Sequence, residues 1–173
     1  MKRYLDEWVL KDLITKMVVL TGPRQVGKTT LARQLMQSFG NAQYFNWDVL
    51  PDRGVLQRQS WNPRAKLLVM DELHKMHDWK GWLKGVVDGR LPEQALLVTG
   101  SARMETFRHG GDSLAGRYFA FRLHPFSVRE WCEQQPVSPA DALDHLLERG
   151  RFPRTVLGER LGAGRSLACT VFQ

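Results

Sequence analysis

The chain has 173 residues, 43% of them hydrophobic and 25% charged, which allows a domain with a sizeable core and excludes a disordered or fibrous class. Its formal charge of +7 admits polyanionic partners such as nucleotides, DNA or RNA, yet no run of five Lys/Arg marks a dedicated nucleic-acid patch. Two cysteines without C-x-x-C spacing exclude a disulfide framework. The charged start Met1–Glu7 lacks a signal-peptide core, and no apolar stretch is long enough for a membrane span, so the expected compartment is a reducing cytoplasm.

In chain order, Tyr4, Leu5, Trp8, Val9 and Leu13 fit one face of a first helix. Met17–Leu20 reads as a buried strand that runs into a Gly/Pro turn. From Lys28, the positions Leu31, Leu35, Met36 and Phe39 mark a helix, with Gly40 as a stop. Gln43–Asn46 is a second strand, and Pro51–Arg64 is an irregular connection with no more than a helical turn. Leu67–Met70 is a third strand, ending in Asp71-Glu72. Asp78 is placed to cap a helix carrying Trp79, Trp82, Leu83, Val86 and Val87. Ala95–Val98 is another apolar strand, ending in Thr99-Gly100-Ser101. Met104–Ser113, with Gly110-Gly111, reads as a mobile loop, and Arg117–Leu123 as an edge strand. Ser127 with Glu130 makes a capping box, and Ser138-Pro139 opens a last helix with Leu143, Leu146 and Leu147, closed by Gly150. Unbroken apolar strands separated by helices indicate an α/β fold with a parallel sheet covered on both faces.

Gly22-Pro23-Arg24-Gln25-Val26-Gly27-Lys28-Thr29 matches G-x-x-x-x-G-K-[ST], followed by Thr30. Chance supplies about 0.006 such matches at this length, and here a strand precedes and a helix follows. Glycines let successive N–H groups converge on phosphate oxygens, and the helix adds its positive end. Lys28 then reaches the β- and γ-phosphates, and the Thr29 hydroxyl is a ligand for Mg2+. Asp71-Glu72 ends a parallel strand, at the sheet edge where ligands bind. Asp71 is expected to hold Mg2+ through its water shell, and Glu72 to orient the attacking water or take its proton. Thr99 and Ser101 both end the next strand; either hydroxyl could touch the γ-phosphate or merely cap backbone, and spacing slightly favours Ser101. A second cation is wanted on the transferred phosphoryl group, and Arg117 is the candidate, in cis or from a neighbouring subunit, with Arg103 and Arg108 as rivals.

The strings GPRQVGKTT, LLVMDELHKMHDW, LLVTGSAR and GDSLAGRYFAFRLHPFSVREW resemble AAA+ ATPases that carry an archaeal-type ATPase domain fused to a nuclease-like C-terminal domain. The resemblance covers about residues 1–154. It implies an ASCE-type P-loop NTPase sheet of order 5-1-4-3-2, Walker A at Gly22–Thr29, Walker B at Asp71-Glu72 and a sensor-like residue at the tip of the strand from Ala95. Such proteins run on for about as long again, with a lid-like region and a further domain. Gly158–Gln173 does not resemble their continuation, which suggests a truncated or frame-shifted product or a shortened linker. The expected division is a P-loop core over 1–124, a helical extension over 125–154 and a weakly ordered tail over 155–173.

The function class is therefore an ATPase using ATP/ADP and Mg2+, with a homo-oligomer or a protein partner compatible with it and nucleic acid undecided. The alternative is a nucleotide-bound interaction module with little turnover. A small-molecule kinase is weaker, because neither acceptor pocket nor lid is visible. The guanine-reading N-K-x-D pattern is absent, which favours adenine weakly. His74 and His77 form no metal cluster with a Cys/His partner, Cys132 reads as a helix residue, and Asp48 stands after the second strand without a defined role.

Overall fold

Burial on both faces is what makes three strands of the sheet continuously apolar. In the computed structural model, which describes residues 2–101, 114–151 and 153, every residue of β1 (Met17–Thr21), β3 (Leu67–Asp71) and β4 (Ala95–Thr99) is buried. The strands β2 (Ala42–Asn46) and β5 (Tyr118–Arg122) form the two edges and are partly exposed. The five strands lie in the order β2-β3-β4-β1-β5, all parallel, which is the expected 5-1-4-3-2 read from the other edge.

Alternate strand residues feed two cores. Val18, Leu20, Val69 and Leu97 pack with α1 (Asp6–Leu13) and α2 (Lys28–Met36). Met17, Val19, Met70 and Val98 pack with Leu56 of α3 (Leu50–Arg58) and Leu83 and Val86 of α4 (Trp79–Gly89). Parallel strands need crossovers, and α2, α3 and α4 supply them on both faces.

Three local expectations change. Pro51–Arg64 is not mainly irregular, because α3 occupies Leu50–Arg58. Pro51 sits in its first turn, where a missing N–H costs nothing, and Gln59 ends it in the left-handed region at φ 52°. Asp78 stands at the N-cap of α4, but at φ 51° its side chain makes no cap bond. Of the apolar positions expected on one face of the first helix, Leu5, Val9 and Leu13 are buried, whereas Trp8 is 60% and Tyr4 41% exposed. Met104–Ser113, Arg103, Arg108 and 155–173 lie outside the described residues.

The chain divides into two compact units at Pro125/Phe126. The second contains α5 (Val128–Gln134) and α6 (Pro139–Arg149) around Phe126, Trp131, Ala142 and Leu146. Ser127 and Glu130 form the capping box in both directions, at 3.2 and 3.0 Å. Ser138 caps α6, and Trp131 stacks on His145 at 4.8 Å. On α6 Leu146 is buried, whereas Leu143 and Leu147 are exposed.

Candidate functional site

Parallel register brings the carboxyl ends of β1, β3 and β4 to one edge, with Leu20 opposite Thr99 and Met70 opposite Val98. The phosphate-loop sequence leaves β1 at that edge. Gly22 has φ 152°, and a Cβ there would stand 2.4 Å from the Leu123 carbonyl oxygen, so only glycine lets the loop pass the exit of β5. Gly27, at φ 96°, is the left-handed residue that turns the chain into α2. Val26 anchors the loop in the core with no exposure. Arg24, Gln25 and Thr30 are exposed, and Pro23 is half-buried.

Lys28 is buried at the start of α2, and its ammonium donates to the carbonyls of Gly22 at 3.0 Å and Pro23 at 2.8 Å. Burial pushes its pKa below the usual lysine value, against the pull of Glu72 and Asp71. Beside it, Asp71 accepts three hydroxyl donors. Thr29 Oγ1 and Tyr44 Oη reach Oδ2 at 2.7 and 2.6 Å, and Thr99 Oγ1 donates to Oδ1. Burial, and then the bond to Asp71, raise the Tyr44 phenol, which keeps it a donor.

The donor set fits the groups this loop implies. A loop turned by Gly22 and Gly27, a buried ammonium and the positive end of α2 suit phosphate oxygens. A hydroxyl and a carboxylate in direct contact, Thr29 and Asp71, are the hard oxygen ligands that Mg2+ takes.

Glu72, the next residue, has different surroundings. Its backbone is in the left-handed region at φ 57°, which costs a non-glycine residue about 1–2 kcal/mol. That turn starts the 3-10 segment Leu73–Lys75. Glu72 Oε2 lies 3.3 Å from Lys75 Nζ, which also bonds Asp48 Oδ2 at 2.5 Å. His74 Nε2 stands 3.8 Å from the same carboxylate and 3.3 Å from Ser101 Oγ. The two strand-tip hydroxyls thus have different partners: Thr99 faces Asp71, and Ser101 faces His74.

Arg117 is not near this edge in its own chain, which corrects the cis form of that expectation. Tyr118 is opposite Met17, so Arg117 precedes the amino end of a parallel strand. Five residues at about 3.3 Å each separate the two edges of the sheet. Its guanidinium makes a two-pronged pair with Asp88 in the last turn of α4, at 2.8 and 3.3 Å.

Sequence reasoning missed Tyr44, and also Arg3. Arg3 is buried and donates to the carbonyls of Val26 in the loop (2.9 Å) and His124 after β5 (2.6 Å). Asp6 accepts from Arg3 N at 3.1 Å and from Gln34 on α2 at 2.9 Å, so the N-terminal segment staples the loop to its helix. The buried Asp6 carboxyl is raised in pKa, mainly by burial. Among the described residues no group of three or more His, Cys, Asp or Glu could hold a metal ion, and no helix is long and apolar enough to cross a membrane.

The fold has counterparts among solved structures. The Thermotoga maritima RuvB Holliday junction branch migration motor superposes with a TM-score of 0.58 at 20% identity, over 91% of this chain and 60% of that one. The Saccharomyces cerevisiae Hsp104–ADP complex gives 0.58 at 15% identity, over 88% of this chain and 28% of that one. At those identities the likeness is one of fold. Uncharacterized proteins of Mycobacterium tuberculosis (Rv2008c) and Mycobacterium bovis (Mb2031c) are 28% identical over 137 residues, 79% of this chain. The chain spans 30% of the length of those relatives. Residues 15–132, more than half of the chain and the whole loop-and-carboxylate edge just described, match the AAA domain, and the chain belongs to that family of nucleotide-binding P-loop proteins.

Proposed function

We propose that the chain hydrolyses ATP in a Mg2+-dependent reaction coupled to a conformational change. The observation that carries this reading is the Thr29–Asp71 contact of 2.7 Å beside the loop that holds Lys28. Thr29 and Asp71 would hold Mg2+, which when bound neutralises charge on the β- and γ-phosphate oxygens. Gly22–Thr30 bind the phosphates through backbone N–H groups and Lys28. Glu72 takes a proton from water as the water oxygen bonds to the γ-phosphorus. The bond from that phosphorus to the β,γ-bridging oxygen breaks, and ADP leaves with the oxygen. Ser101 donates to the γ-phosphate, and Thr99 keeps Asp71 in place.

Arg117 serves only in trans, reaching a neighbour's nucleotide in a homo-oligomer. The functional division is the core 1–124, the helical extension 125–154 and the tail 155–173, in the reducing cytoplasm. The archaeal-type ATPase family with a nuclease-like partner domain remains our finer assignment, supported by the strings quoted above. A macromolecular partner, protein or nucleic acid, is what a motor of this kind would act on.

One observation favours the second reading, a nucleotide-bound interaction module. Glu72 is paired with the ammonium of Lys75, so a carboxylate oxygen that would face the attacking water is engaged by a side chain of the protein. Titration with Mg-ATP and turnover on the same sample separates the two. Binding with steady phosphate release supports the enzyme, whereas binding alone supports the module. Lys28→Ala should weaken Mg-ATP binding by about 100-fold, through loss of a charge-assisted contact in a partly dehydrated loop. Equal affinity by calorimetry would remove the phosphate-loop assignment.

A further inference from the structure

His74 is a side chain that the chemistry above leaves without a task. It stands in the 3-10 turn after Glu72 with its side chain 18% exposed. Nε2 faces Ser101 Oγ at 3.3 Å and Glu72 Oε2 at 3.8 Å. Nδ1 is buried and has no hydrogen-bond partner among the described residues. Burial, the largest influence, holds the imidazole below its ordinary pKa, so the ring is neutral at neutral pH and carries one N–H.

That N–H has two places to be. On Nδ1 it would be a buried donor without an acceptor, which is the rarer and costlier defect. On Nε2 it points at two oxygens, one of them a carboxylate, and leaves only a lone pair unsatisfied at Nδ1. The second tautomer is therefore the one this pocket selects.

The choice fixes the neighbouring hydroxyl. Ser101 has one O–H and two lone pairs. If His74 donates to Oγ, the O–H must be directed elsewhere. If His74 accepted instead, the O–H would be spent on the ring, and Oγ would present lone pairs to phosphate oxygens, which themselves only accept. We propose that His74 is a positioning residue: it keeps its proton on Nε2, donates it to Ser101 Oγ, and so presets the Ser101 hydroxyl as a donor toward an anionic phosphate oxygen. The proposal rests on the role given to Ser101 under Proposed function. It does not require Glu72 to be the base.

The tautomer is directly measurable. Protein labelled with 15N-histidine contains five imidazoles, and His74→Gln identifies the one at issue in a long-range proton–nitrogen correlation spectrum. Protonated Nε2 with bare Nδ1 is expected; protonated Nδ1 overturns the proposal. Ser101→Ala should move the His74 Nε2 resonance, and an unchanged resonance also overturns it. In turnover, His74→Ala should lower kcat by about tenfold with KM little changed, as for a residue that orients a contacting group. His74→Gln retains an N–H donor and should recover most of that loss. In a Ser101→Ala background, His74→Ala should cost nothing further, because the two act as one unit. Full kcat in His74→Ala, or full additivity, speaks against the link. If His74→Ala does not fold, the spectra of the wild type and of Ser101→Ala decide. If the wild type shows no turnover, the hydrolysis reading fails by itself and the tautomer still settles the role of His74.

Discussion

Two adjacent carboxylates, Asp71 and Glu72, are treated in opposite ways by this fold. Asp71 is 1% exposed, ends a central strand and is surrounded by the neutral hydroxyls of Thr29, Tyr44 and Thr99. Glu72 begins a left-handed turn, is about a quarter exposed, and faces the charged or ionisable Lys75 and His74. Neutral donors in a dry site fix a carboxylate in one orientation and hold its charge without neutralising it. An exposed ion pair is loose and screened by salt. The strand tip thus supplies a rigid acceptor, and one residue on the chain supplies a group with freedom to exchange partners. That division suits a site in which one carboxylate holds and the next reacts.

The contrast breaks if the two carboxylates respond alike to removal of charge. The largest effect is expected for Glu72→Gln, which keeps shape but cannot take a proton. Its turnover should fall by about 100-fold or more, while ATP affinity and thermal stability stay near wild type. Unchanged phosphate release would remove Glu72 from the catalytic role. Asp71→Asn should do the reverse in stability. Its amide replaces one acceptor oxygen by a donor, among three hydroxyls that all donate, and should cost about 1–3 kcal/mol in denaturant unfolding. It should also blunt the Mg2+ dependence of binding. An Asp71→Asn protein as stable as the wild type would show that the three hydroxyls are not held by charge.

The fold was legible in the sequence where burial is two-sided. β1, β3 and β4 are uninterrupted apolar runs because helices cover both faces, and the capping residues Ser127 and Ser138 announce their helices locally. The helix α3 was hidden because only Leu56 is fully buried on it, and Pro51 and Gly54 resemble turn residues. The placement of Thr29 and Asp71 at one sheet edge was legible too, since the loop after one apolar strand and the acidic end of another announce it. Tyr44 was not: on an edge strand an aromatic reads as a good β-former, and its link to Asp71 comes from the register that sets Asn46 opposite Asp71. Arg3 reaches a carbonyl 121 positions away, a contact that no local pattern encodes. The misplacement of Arg117 was avoidable. A residue that precedes a parallel strand stands at the amino edge, and the site lies at the other.

The smallest effects test how loosely Glu72 is held, and they should have opposite signs. Lys75 Nζ is shared between Asp48 at 2.5 Å and Glu72 at 3.3 Å, and its pKa is raised chiefly by the bond to Asp48. Asp48 is therefore the stronger holder, and it draws the ammonium away from Glu72. Removing the cation with Lys75→Met should free the Glu72 carboxylate to turn toward the attacking water and raise turnover about two- to threefold. Removing the competitor with Asp48→Asn should hand the ammonium to Glu72 and lower turnover by a similar small factor. Because the pairs are partly exposed, neither change should shift unfolding by more than about 0.5 kcal/mol. Salt supplies the independent check: raising ionic strength weakens the Lys75–Glu72 pair, so turnover in Asp48→Asn should climb more steeply with salt than in Lys75→Met. A fall in turnover for Lys75→Met would mean that the lysine positions Glu72 instead of restraining it, and the difference between the two carboxylates would then be one of partner and not of freedom.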